Sequence, residues 1–188
     1  MPNAKKTQRT ETALVTGAAK RLGRAIALLL AENGYSIIVH YHTSKQDAED
    51  LCGEIAGKNV RAWPVKADLG KPAELDALID RSMRRFGGLS VLVNNASIFP
   101  PNTLRNMTAR DFDRTMRINA WAPLSLSRAF ALKVKKGAII NILDARLPGH
   151  DRSHIAYSLS KYALMNITRI CTLEFAPGIR VNAVAPGL

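Results

Sequence analysis

Six short runs rich in valine, isoleucine and leucine recur along this chain, at 12–16, 36–41, 60–65, 89–94, 138–143 and 180–183. Between them lie longer stretches whose apolar residues return with helical spacing, at 21–33, 45–56, 72–86, 108–117, 119–134 and 153–175. Several of the short runs are apolar on both faces. A strand with one wet face alternates instead, so the pattern fits strands buried between two layers of helix. Alternation of this kind implies right-handed crossovers, and hence an α/β fold with a doubly wound parallel sheet in three αβα layers.

Punctuation agrees. Asn33-Gly34 follows the first helical stretch, where a helix C-cap is expected. Pro72 stands where the third begins and Gly87-Gly88 where it stops. At 188 residues the chain is long enough for one domain with a substantial core. Residues 11–188 are read as that domain, carrying cofactor binding and catalysis together. The stretch MPNAKKTQRT at 1–10 is read as a flexible basic tail; it lacks the apolar segment of a secretory leader. A remnant of an organelle-targeting segment is the other reading of it.

At 47% hydrophobic and 22% charged, the composition is that of a soluble globular protein. No apolar run approaches the roughly 20 residues of a membrane span. Cys52 and Cys171 fall in separate helical stretches with no partner at metal spacing, so they read as packing residues in a reducing cytoplasm, and no metal site is expected. The net charge of +12 would suit a polyanion, but the cations are spread over the tail, one helix and one loop. Neither nucleic acid nor a membrane is expected as a partner.

The first strand runs into a helix through ALVTGAAKRLGRAIA, with Gly17 and Gly23 bracketing the turn. A strand–glycine turn–helix lets backbone approach a pyrophosphate, and the helix N-terminus offers N–H donors and a partial positive charge. Gly17, Leu22 and Gly23 are therefore candidate cofactor contacts. Arg21 stands where a third glycine is expected; its planar cationic fork suits a phosphate or a substrate at the mouth of the site.

The end of the second strand chooses between nucleotides. A carboxylate there bonds the ribose 2′-hydroxyl of NAD. Here the sequence is VHYHTSK, with His40, His42, Thr43 and Ser44 and no acid before Asp47. Hydroxyls and cationic groups suit a 2′-phosphate, which a carboxylate would repel. NADP(H) is the expected cofactor. For His40 and His42, plain surface polarity is the competing reading.

Tyr157 and Lys161 stand four apart in a helical stretch and share one face. Taken with the glycine turn, NNAS at 94–97 and Asn119, this set resembles the short-chain dehydrogenase/reductase family over nearly the whole chain. Arg21, HYHTS after the second strand, NNASIF, Asp144 and HIAYSLSK narrow the resemblance to its pteridine reductase and dihydromonapterin reductase branch; most members place serine at 144. The resemblance implies a Rossmann-type sheet in the order 3-2-1-4-5-6. It makes Tyr157 the proton donor, Lys161 the holder of the nicotinamide ribose and the group that lowers the tyrosine pKa, and Asn119 the shaper of a water path. Asp68 and Leu69 would meet the adenine, and Asn95, Ala96, Ser97, Pro186 and Gly187 would line the cofactor. Arg21, Ser97, Phe99, Asp144 and Tyr157 would face a pterin-like substrate, Phe99 by stacking or merely by packing. A homo-oligomer, a tetramer by family habit, is also implied, with 119–134 and 153–175 packing across subunits.

Asp144 changes the expected chemistry. Free tyrosine titrates near about 10, so bringing it to neutrality takes roughly 4 kcal/mol. A cation 4 Å away at an effective dielectric near 20 supplies about that much. An ionised Asp144 at the same range opposes it. The reading is that Asp144 keeps Tyr157 protonated or shares its proton, which favours proton donation to a C=N substrate over alcohol oxidation; as the bland alternative, Asp144 caps the loop after its strand. A ketone or aldehyde reductase of the same family and a non-catalytic dinucleotide-binding regulator are the competing functions. The sequence runs out at VAPGL, where family members turn into a segment covering the substrate, so that lid and the closing strand are expected to be missing.

Overall fold

The computed structural model describes residues 11–147, 149 and 151–187; the expected tail at 1–10 lies outside them. In chain order the elements are β1 (Thr12–Val15), α1 (Arg21–Glu32), β2 (Ser36–Tyr41), α2 (Lys45–Ala56), β3 (Ala62–Lys66), α3 (Pro72–Phe86) and β4 (Val91–Asn94). There follow α4 (Ala109–Met116), a π-helical turn (Arg117–Trp121), α5 (Ala122–Lys133), β5 (Gly137–Ile142), α6 (Ile155–Glu174) and β6 (Ile179–Val184). The six strands form one parallel sheet in the order β3-β2-β1-β4-β5-β6, as expected.

Alternation along each strand feeds two cores. Leu14, Ile38, Leu92 and Ile139 point to one face, where α3, α5 and α6 pack with Leu78, Leu126, Phe130 and Cys171. Ala13, Val15, Ile37, Val39 and Val93 point to the other, against Ala27 and Ala31 of α1 and Leu51 and Ile55 of α2. Each fully buried leucine or isoleucine stabilises the fold by about 1.5–3 kcal/mol. Truncating the fully buried Leu92 to alanine at the sheet centre would cost about 2–5 kcal/mol.

Helix ends follow local chemistry. Thr108 and Asp111 form a reciprocal capping box at the start of α4. Pro72 opens α3, and Gly87 closes it in the left-handed conformation at φ 75°. Most boundaries shift by one or two residues, and two of the differences have a local cause. The third strand begins at Ala62 rather than at 60 and carries Pro64, which an edge strand tolerates because one side lacks a partner. The helix expected to open at Asn119 instead continues from α4 through the π-helical turn, with no breaker residue between them. The turn buries Asn119 completely.

Chain order reverses between β1 and β4, which neighbour one another while their next strands lie on opposite sides. Ligands of open α/β sheets bind at the carboxyl ends of the strands flanking such a point. A cleft of about 550 Å³ opens there.

Candidate active site

The floor of the cleft is the turn after β1. Gly17 has φ +63°, and a Cβ on it would stand 3.0 Å from the Ala96 backbone. Gly23 lies so close to the turn that an added Cβ would meet the Gly17 carbonyl oxygen at 2.3 Å. Arg21 adopts φ 50°, a left-handed conformation that favours glycine. The missing third glycine is thus a real conformational demand that arginine meets under strain. α1 begins with no side-chain cap and no acid in its first turn, so its leading N–H groups face the cleft without an internal anion.

Thr16, which sequence reading did not single out, stitches this turn to the segment after β4. Its hydroxyl accepts from the backbone N–H groups of Asn95 and Ala96 at 2.9 and 3.0 Å. The Asn95 side chain donates back to the Thr16 and Gly17 carbonyls at 2.8 and 3.2 Å. Ala96 and Ser97 then continue along the cleft wall. Beneath them Asn94, Asn141, Ser127 and Thr168 form a buried amide–hydroxyl chain tying β4 and β5 to α5 and α6.

His40 borders the cleft but does not serve as a cationic clamp. Its ring is 2% exposed. Nδ1 accepts from the Gly17 N–H at 3.0 Å, and the Nε2–H donates to the Ala67 carbonyl at 3.1 Å. Burial holds its pKa down to about 4, and a second proton on Nδ1 would face the Gly17 N–H. His40 is a neutral strut between β2 and the glycine turn, which corrects the expectation of a positive charge there. His42, Thr43 and Ser44 do line the cleft. Ser44 is the N-cap of α2, yet its side chain makes no cap bond. Lys20 pairs with Asp47 at 3.1 Å, offsetting the one acid in the first turn of α2. Asp68 and Leu69 form the far wall, with Asp68 at 3.8 Å from His42.

The opposite end gathers Asp144, Tyr157 and Lys161. The Tyr157 hydroxyl donates to Asp144 Oδ2 at 2.8 Å. Hydrogen bonds from Arg146 hold Asp144 down to about pKa 2 against the cost of its burial. Burial first, and then the Asp144 bond and charge, push the Tyr157 pKa well above the ordinary phenol value. The expected lowering by Lys161 is overturned. Its Nζ donates to the Ile142 carbonyl at 2.7 Å and stands 5.6 Å from the Tyr157 ring centroid, while the Tyr157 hydroxyl bonds Asp144. Lys161 is itself 3% exposed, and burial depresses its pKa to about 8.

Three expected residues stand away from the cleft lining. Asn119 spends its amide on Ile98, accepting from its N–H at 2.8 Å and donating to its carbonyl at 2.9 Å, and donates to Ser160 at 3.1 Å. It braces the cleft wall against α6, and no face of it lines the cavity. Phe99 stacks on His154 with centroids 3.7 Å apart and meets Tyr157 edge-on at 4.5 Å. Gly187 lies beyond Pro186, which does border the cleft. Sequence reading missed Arg146, whose signal is its place two residues after an aspartate at a strand end, a spacing that favours a side-chain turn.

A model of the short chain dehydrogenase family matches residues 11–188. The chain belongs to the short-chain dehydrogenase family. Among its relatives, a 3-oxoacyl-[acyl-carrier-protein] reductase of Staphylococcus aureus is 36% identical over 182 residues, covering 95% of this chain and 74% of the relative. A hydroxynaphthalene reductase-like protein of Metarhizium robertsii is 33% identical, covering 100% and 72%. Two solved structures share the fold. A FolM alternative dihydrofolate reductase 1 of Brucella canis complexed with NADP has a TM-score of 0.90 at 32% identity, covering 95% of this chain and 74% of that one. A short chain dehydrogenase of Burkholderia cenocepacia in complex with NADP has a TM-score of 0.91 at 34% identity, with the same coverage. Within the short-chain dehydrogenase frame, the glycine turn, Tyr157 and Lys161 fall on one continuous cleft.

Proposed function

We propose that this chain is an NADPH-dependent reductase of a flat C=N heterocycle of the pterin type. The observation that carries the reading is the Tyr157 phenol held protonated against an ionised Asp144. NADP(H) fits the cleft. The strained turn at Gly17 brings backbone to its floor, the start of α1 has no side-chain cap, and Thr43 and Ser44 stand at the end of β2, where the nearby Asp47 is paired with Lys20. The NADP complexes of both structural relatives support the same cofactor.

When bound, the cofactor supplies a hydride. Gly17, Arg21, Leu22 and Gly23 would hold its diphosphate at the turn. His42, Thr43 and Ser44 would receive the 2′-phosphate, Asp68 and Leu69 the adenine, and Asn95, Ala96 and Pro186 the remaining edge. Lys161 would hold the nicotinamide ribose. Tyr157 passes its hydroxyl proton to the substrate nitrogen, whose developing anion is the stronger base. The phenolate left behind faces the Arg146 and Lys161 cations, and solvent reprotonates it through the open cleft. A site tuned in this way lacks the deprotonated tyrosine that alcohol oxidation requires at neutral pH. Ser97 and Arg21 face the substrate. Phe99, stacked on His154 but still partly exposed, would meet a flat ring with its open surface or by parting from His154.

The relation to a 3-oxoacyl reductase supports a second reading, a ketone reductase of the same family. The expected homo-oligomer finds support in exposed Trp121, Ile170 and Leu173 on the outer faces of the π-helical turn and α6. Among the described residues no helix is long and apolar enough to cross a membrane.

NADPH oxidation measured against biopterin, dihydrobiopterin, dihydromonapterin and a ketone panel tests the proposal. Turnover of a pterin well above any ketone is expected. Ketone turnover with inert pterins gives the site to the second reading.

A further inference from the structure

We propose that Arg146 is a positioning residue of this site: its guanidinium fixes the Asp144 carboxylate in the orientation that receives the Tyr157 hydroxyl, and it joins the two loops of the catalytic edge into one unit. The inference rests on the reductase reading for its meaning, and on the geometry below for its substance.

Asp144 follows the end of β5 and Arg146 lies two residues on. The Arg146 backbone N–H and Nε both donate to Asp144 Oδ1, at 2.8 and 3.2 Å. Its Nη2 donates to Oδ2 at 3.0 Å. With the Tyr157 hydroxyl on Oδ2, four donors fill the carboxylate, about the number it can accept. Two of those four are lost with the arginine side chain, and the carboxylate could then turn away toward water. A guanidinium grips both oxygens in one plane, which an ammonium cannot do.

The same guanidinium reaches outward. Nη1 stands 3.7 Å from Asp151 Oδ2, and the central carbon lies 5.1 Å from the Phe99 ring centroid. Asp151 bonds the His154 ring at 2.9 Å, His154 stacks on Phe99, and Phe99 meets Tyr157 edge-on. The contacts close a circuit from Tyr157 through Asp144, Arg146, Asp151, His154 and Phe99 back to Tyr157. It links the loop after β4, both ends of the β5–α6 loop and the first turn of α6. A merely solvated arginine would leave its fork in water; this one aims every side-chain contact inward although the side chain is 47% exposed. The charged and titratable groups facing Asp144 are Arg146 from its own loop and Tyr157 and Lys161 from α6. Asp151 and His154 stand behind the guanidinium.

The test needs no substrate. Carbon NMR follows the aspartate carboxyls with pH, the Asp144 signal being identified by its loss in Asp144→Asn. In the wild type, Asp144 should show no titration down to about pH 4. In Arg146→Ala its midpoint should rise by about 1–2 pH units, with Arg146→Lys restoring part of the difference. If the alanine variant does not fold, Arg146→Gln removes the charge while keeping a donor. NADPH oxidation then adds the kinetic split: kcat should fall roughly ten- to a hundredfold in Arg146→Ala with NADPH affinity unchanged. An unmoved Asp144 midpoint, or lysine no better than alanine, overturns the proposal. A wild type that oxidises NADPH with no compound tried would sink the reductase reading and leave the carboxyl titration to judge Arg146.

Discussion

The Tyr157 hydroxyl and Asp144 Oδ2 lie 2.8 Å apart, an acid proton resting on an anion. Family logic asks a neighbouring lysine to draw the phenol toward ionisation. In this chain the carboxylate is the nearer charge, and the lysine bonds a backbone carbonyl instead. The tyrosine therefore holds its proton, as the proposed donor should until a strong base arrives.

Lys161 sets the alkaline edge. Its pKa is depressed to about 8, so it is a cation below that pH and neutral above it. A group holding ribose by its charge loses grip as it deprotonates. NADPH affinity, read by cofactor fluorescence, should weaken as pH rises through about 8. Lys161→Met should bind weakly at every pH and lose that dependence.

Ser44 should govern nucleotide choice. Its hydroxyl lines the cleft and caps nothing. Ser44→Asp places a carboxylate where a 2′-phosphate is proposed to sit. The ratio of NADPH to NADH affinity should fall by at least roughly tenfold, about 1.4 kcal/mol, the scale of one close like-charge contact near a surface.

His40 should set acid stability. Its pKa falls from 6.5 unfolded to about 4 folded, so the unfolded state binds the extra proton first. Stability from this residue is fully present above about 6.5, falls as pH drops toward about 4 and levels off below. Its steepest slope is about 1.4 kcal/mol per pH unit. Urea unfolding of His40→Gln should show a flatter curve across that window.

The fold was legible because its signal is collective. Each strand of Val, Ile and Leu serves two cores at once, and six such runs between helices leave few arrangements. The cleft was legible in the glycine turn and in the Tyr157–Lys161 spacing. What stayed hidden depends on which neighbour a side chain meets. His40 looked like a surface cation at a strand end, yet the Gly17 N–H and the Ala67 carbonyl claim both its nitrogens. Asn119 looked like a helix start, yet a π-helical turn rolls it inward onto Ile98. Phe99 looked free for a ligand, and His154, fifty-five positions away, stacks on it while leaving it partly exposed. No local pattern encodes those meetings.

Two glycines should separate packing from entropy. In Gly23→Ala the new carbon would stand 2.3 Å from the Gly17 carbonyl oxygen and 2.5 Å from Asn95 Nδ2. The free energy of urea unfolding should drop by about 1–3 kcal/mol, and NADPH binding should be lost with the turn. Gly53→Ala, in α2 with nothing within 4 Å, should instead stabilise by about 0.5–1 kcal/mol and leave binding intact.

The decisive measurement is the tyrosinate absorbance of the chain against pH, with Tyr157→Phe subtracted in the wild type and again in an Asp144→Ser background. Tyr157 should ionise later than a free phenol in the wild type and about 1–2 pH units earlier once the carboxylate is gone. A Tyr157 that titrates at or below the ordinary phenol range in the wild type, or that ignores the loss of Asp144, would contradict it.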